Sequence, residues 1–146
     1  MSAGTKVRRV GALVAIGAAM AVFAAPAEAS GTHHFKVVGE LIQSHGTDNT
    51  FVGREALFNP NNLFNRVGNT KFKCKARGKF RCLARFHFDG SIGGFGDLWV
   101  RGNFGGHDTT ANVVDGTGTF TGAVAGKVNV DPIDRNTTVY GFHLVD

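Results

Sequence analysis

The chain has 146 residues, enough for one domain and too few for two ordinary ones. Its 42% hydrophobic and 18% charged content excludes a disordered chain, and two cysteines exclude a multi-disulfide scaffold or a four-cysteine zinc site. A balance of 16 basic against 11 acidic residues gives +5, too mild to imply a nucleic-acid partner by itself.

The first element is a targeting segment. Lys6, Arg8 and Arg9 form a positive start, an apolar run follows from Val10 to Ala25, and Pro26 leads into Ala27-Glu28-Ala29, a small-x-small cleavage signal. The run is about fifteen residues, short of the roughly 20 that span a membrane. Residues 1–29 therefore read as a secretory signal peptide cut after Ala29, and 30–146 as one β-domain. The residues flanking Arg8-Arg9 fit a twin-arginine signal poorly, and the competing reading is an uncleaved anchor. Cleavage would remove Lys6, Arg8, Arg9 and Glu28, leaving 117 residues with a net charge of +3. No second apolar segment is long enough to cross a membrane, so the expected product is soluble, secreted and extracytoplasmic.

Strand follows strand in the remainder. Phe35–Ile42 is β-rich, Ser44–Thr50 reads as a polar loop, and Phe51–Phe58 is a second strand. Asn59-Pro60-Asn61-Asn62 is a strong turn cluster, because Asn tolerates the left-handed region and Pro fixes φ. Leu63–Val67 is a short continuation, 71–88 a hairpin, and Asp89-Gly90 a turn. Ser91–Arg101, Ala111–Asp115, Ala123–Val130 and Thr138–Val145 complete the set. No segment holds a 3.6-residue apolar period. About eight strands in one small domain predict an all-β closed antiparallel barrel or a sandwich.

The hairpin is the most informative stretch. Lys71, Lys73, Lys75, Arg77, Lys79 and Arg81 occupy every odd position, and the even positions from Phe72 to Phe88 are apolar or small. Alternation across a strand makes this one basic face and one apolar face. With Gly78 at the turn, Cys74 lies opposite Cys82, close enough for a disulfide in an exported chain. The alternative is a pair of buried thiols. The same register sets Lys75 against Arg81 and Lys71 against Arg85, and directly opposed like charges are unfavourable. Two readings stand: a face that holds an anionic partner (acidic cell-wall polymer, acidic lipid or nucleic acid), or a solvated face whose lysines deter edge-to-edge aggregation. The phenylalanines have the other parity, so stacking on bases has no support and nucleic acid is the weakest partner.

A glycine-rich run, Gly116-Thr117-Gly118-Thr119-Phe120-Thr121-Gly122, follows Val114-Asp115. It is not followed by a helix pattern, so a dinucleotide site is rejected. The stretch Val114–Val128 instead resembles the V-x-G-T-G-x-F-x-G-A-x-G-x-V signature of the allene oxide cyclase and dirigent barrel superfamily, most closely its small secreted bacterial members. Gly46–Phe51, Leu57-Phe58 with Val67-Gly68, the Cys74/Cys82 pair and Phe88–Ile92 match further stretches, so the resemblance runs from Phe35 to Leu144. Ala125 departs from it, standing where many members carry Arg. The resemblance implies an eight-stranded, calycin-like antiparallel barrel with a cavity, often trimeric. Cyclase members isomerise a fatty-acid epoxide in that cavity, and dirigent members steer phenolic radical coupling.

No acid, tyrosine or asparagine of the family's known sites aligns here; Glu40 is the best acidic candidate for a barrel lumen, and the competing, preferred reading makes it a surface carboxylate or the partner of a nearby Arg. The histidines (His33, His34, His45, His87, His107, His143) show no ligand spacing, so neither a metal nor a cofactor is expected. Trp99, between Leu98 and Val100, reads as core or subunit interface. Three functions remain open: a non-catalytic binder of an apolar small molecule, a cyclase- or dirigent-like enzyme on a lipid-derived or phenolic substrate, and a surface protein binding anionic polymer. Inward polar groups would distinguish the second from the first.

Overall fold

The computed structural model describes residues 32–145 apart from 78 and 106, so the signal sequence expected at 1–29 and the hairpin turn at Gly78 lie outside the described residues. Eight strands close into one antiparallel barrel in chain order: β1 (Thr32–Gly46), β2 (Thr50–Asn59), β3 (Asn62–Arg77), β4 (Lys79–Ile92), β5 (Gly94–Asn103), β6 (Thr109–Gly116), β7 (Lys127–Pro132) and β8 (Thr137–Val145). Each strand pairs with its sequence neighbour, and β1 also pairs with β8, from Thr32↔Val145 to Glu40↔Thr137. Closure on this ladder removes both sheet edges.

The predicted hairpin forms in its predicted register, with Lys71↔Arg85, Cys74↔Cys82 and Lys75↔Arg81. Cys74 and Cys82 form a disulfide, and both are buried on the inner face. The two cysteines are eight residues apart. A loop that short should contribute about 2–3 kcal/mol through the unfolded state. The paired substitution Cys74→Ala/Cys82→Ala is expected to lower the unfolding free energy by that amount in a urea titration.

Several boundaries differ from expectation. Leu63–Val67 is the start of a single long β3, because a β-bulge near Phe58 lets the ladder continue past the turn. The chain does not reverse at Asp89-Gly90. There Gly90 (φ +99°) makes an irregularity within β4, and the reversal comes at Gly93 and Gly94. The strand expected over Ala123–Val130 begins only at Lys127. Before it, the glycine signature forms a 3-10 turn, Gly118–Phe120, and further turns close on Phe120, Ala123 and Gly126.

Inward residues from all eight strands make one apolar core. Towards the end covered by the 3-10 turn, Phe35, Phe86, Phe88, Phe120 and Phe142 interlock. The Phe35 and Phe142 rings stack with centroids 4.8 Å apart, and Phe88 lies 5.4 Å from both Phe120 and Phe142. The signature glycines serve this plug. Gly118 takes φ +62° where the backbone passes against the Phe95 carbonyl, and so delivers the Phe120 ring into the barrel end.

Candidate functional site

The lumen carries its polarity on residues that composition does not mark. On β2, Gly53, Glu55 and Leu57 face inward, and Arg54 faces solvent. Glu55 is only 4% exposed. Its Oε2 accepts a 2.7 Å hydrogen bond from the Tyr140 hydroxyl on β8, which is also buried. The two strands are separated by β1, and the bond passes over Gly39. A β-carbon there would lie 2.8 Å from both Glu55 Oε2 and the Tyr140 ring, so the missing side chain is what lets the pair meet. Thr70, opposite Glu55 on β3, is fully buried, and its Oγ1 has no partner among the described residues.

Electrostatics follow from this setting. Burial pushes the Glu55 carboxyl from 4.5 up to about 7, and the Tyr140 hydrogen bond offsets only part of the rise. Burial and the adjacent Glu55 charge push the Tyr140 hydroxyl well above its ordinary value, so it stays a donor. Glu55 therefore changes protonation near neutral pH inside an apolar barrel, which suits a general acid or base. The half-buried Phe72 and Phe104 rings lie 6.4 Å apart, with Phe104 6.1 Å from Tyr140 and Phe51 5.7 Å from Phe72.

Glu40, the acidic candidate for the lumen, is instead a surface carboxylate, the reading preferred from the sequence. It pairs with Ala56 across the β1–β2 ladder, points outward, and borders a surface hollow with Asp134 and Arg135. The ladder neighbour Leu41↔Glu55 shows why: the inward acid belongs to β2, one residue out of phase with Glu40. Trp99 is not core either. It lies half-buried on the outer wall with the Arg85 guanidinium 5.5 Å above its ring.

Two further clusters sit on the outer surface. Asp97 accepts from Arg85 Nη2 at 2.6 Å and Nε at 3.1 Å on one oxygen, and from His87 Nδ1 at 2.6 Å on the other. Burial alone would raise its carboxyl, but the Arg85 and His87 hydrogen bonds outweigh that and hold it below the ordinary range. On the closing ladder, His34 and His143 face each other with Nδ1 atoms 2.6 Å apart. Lys71, Lys73, Lys75 and Arg81 are exposed on the outer wall. Arg77 and Lys79 pair there in the backbone ladder, with side chains outside the described set. Of the signature residues, Gly116 and Phe120 are buried, and Thr117, Gly118 and Gly122 are exposed.

No family model matches the chain, and no curated protein matches it in sequence. Among solved structures it is similar to pyocyanin demethylase, with a TM-score of 0.60 and 16% identity over 76% of this chain and 98% of that one. The likeness is one of fold. It establishes that the eight-stranded barrel has a solved counterpart of nearly the same extent, and at this identity it carries no residue role across.

Proposed function

We propose that this chain binds a small, largely apolar molecule inside the barrel beside Glu55, with one polar group of that molecule held by Glu55, Tyr140 and Thr70. The carrying observation is the buried Glu55–Tyr140 pair beside the unpartnered Thr70 hydroxyl. A buried hydroxyl left unbonded costs about 1–3 kcal/mol, and a ligand atom bonded there recovers it. The half-buried rings of Phe51, Phe72 and Phe104 supply the apolar contact and must part for entry. The phenylalanine plug fills the other end of the barrel, which limits the occupant to a small molecule.

A second reading, a proton-transferring isomerase of the allene oxide cyclase or dirigent kind, is favoured by the near-neutral Glu55. An acid inside an apolar pocket can take a proton from a bound substrate and return it elsewhere. The glycine signature supports membership of that superfamily, and the Cys74–Cys82 disulfide supports an oxidising, extracytoplasmic location.

The test is titration with two probes, the neutral fluorophore N-phenyl-1-naphthylamine and pyocyanin. Thr70→Val is expected to weaken binding of pyocyanin, which carries polar atoms, about tenfold while leaving the neutral probe within twofold. If neither probe binds the folded protein, the lumen reading fails. Any turnover should rise with pH through about 7 when Glu55 is the base, and vanish in Glu55→Gln.

A further inference from the structure

The outer wall holds a hollow that the lumen reading does not use. Cross-strand register builds it in two rows. One runs Lys73, Leu83, Arg101, Asn112 across β3 to β6, and the other runs Lys75, Arg81, Asn103 across β3 to β5. The hollow has a volume of about 710 Å³, and among the described residues none that lines it is a carboxylate. Among the described residues, Lys73, Lys75, Arg81 and Arg101 have no acidic partner. Asp97 is taken up by Arg85 and His87. The floor is apolar, with Leu83 45% and Val114 39% exposed between the cations.

Edge protection does not explain these charges. β3 and β4 have neighbours on both sides in a closed barrel, so there is no free edge for the lysines to guard. Lys75 and Arg81 are directly opposed on the ladder, where β-carbons lie about 5 Å apart, and their repulsion is relieved only by solvent or by an anion between them. A volume of this size matches a single small molecule. A purely hydrophilic polyanion would leave Leu83 and Val114 unused.

We infer that the wall of β3–β6 is a second binding site, for a free anionic amphiphile whose phosphate, sulfate or carboxylate head sits between Lys75, Arg81, Lys73 and Arg101 and whose apolar body lies on Leu83 and Val114. The head gains charge-assisted hydrogen bonds from the arginines, and the body covers aliphatic surface that is otherwise wet. The site is independent of Glu55 and of lumen occupancy.

The experiment is calorimetric titration of the full protein with dodecyl phosphate below its micelle concentration, with inorganic phosphate and dodecyl maltoside as comparison ligands. Dodecyl phosphate is expected to bind at least tenfold more tightly than either, and to weaken several-fold between 0.05 and about 0.5 M salt as screening grows. Lys75→Glu/Arg81→Glu should weaken it more than tenfold, and Leu83→Asn at least threefold. Lys36→Glu on β1 and Glu55→Gln in the lumen should leave it within twofold. A thermal melt of each variant confirms that the barrel is intact. No binding of dodecyl phosphate, equal binding of inorganic phosphate, or an unchanged constant in the double charge reversal overturns the inference. Equally tight capture by phosphatidylglycerol vesicles, lost in the same double variant, overturns the free-ligand assignment in favour of a membrane surface.

Discussion

Glu55→Gln is expected to stabilise the protein by about 3 kcal/mol at pH 8 and to leave it nearly unchanged at pH 4. The folded state holds the Glu55 carboxyl up to about 7, against 4.5 for the free group. Between those values the folded chain binds the extra proton, so wild-type stability falls as pH rises through this window and levels off above it. A rise of that size corresponds to about 3 kcal/mol at 1.36 kcal/mol per pH unit. Glutamine cannot ionise, and its amide oxygen still accepts from Tyr140, so the decline should disappear. Asp97 acts in the opposite sense. Its stabilisation is lost only as pH falls through a value below 3.8, outside the window. Urea titrations at half-unit steps from pH 4 to 8 would decide it. A variant that keeps the wild-type slope shows that Glu55 is not the buried titrating group.

Phe142→Ala is expected to cost about 3–5 kcal/mol, the range for removing a buried aromatic ring. Phe142 is fully buried, and its ring touches that of Phe35, its ladder partner on the adjacent β1, and those of Phe86 and Phe88 on β4 across the barrel. Those strands are held in place by closed ladders and cannot collapse into the void. Phe64, by contrast, is 100% exposed, and Phe64→Ala should change stability by less than about 0.5 kcal/mol. Denaturant midpoints of the two variants, measured side by side, test the plug directly. A small loss at Phe142 would mean that the rings are loosely packed and the lumen is more open than their contacts imply.

The strands that alternate cleanly are legible in the order of their residues. The basic odd positions from 71 to 81 and the apolar or small even positions from 72 to 88 set the hairpin, its register and its disulfide. Where alternation breaks, the pattern misleads. Val37-Val38 hides which parity of β1 faces inward, so the pattern leaves the side of Glu40 open, and a bulge near Leu41 then leaves Ile42 59% exposed. Glu55 does not stand out because Ala56 is buried along with Leu57, which masks the period of β2. Its partner Tyr140 is 85 residues away, and His34 and His143 are 109 apart. Such contacts follow from the barrel closing, which local pattern does not encode. The stretch before Lys127 resembles a strand because Ala123, Val124 and Val128 are apolar, although Gly122 at φ +90° and the Gly126 N–H bonded to the Ala123 carbonyl commit it to turns.

The β1–β8 ladder has a consequence for how the chain reaches this shape. In a chain made from its N-terminus, seven of the eight ladders can zip in order as each strand appears, since each joins sequence neighbours. The eighth joins Thr32 to Val145 and waits for the final strand. Until then β1 and the newest strand present open backbone edges, and the phenylalanine plug lacks Phe142. Such an unfinished sheet is a template for pairing with other chains. A ribosome stalled before residue 137 would thus hold a sticky intermediate, and a product truncated there should aggregate rather than fold into a smaller barrel.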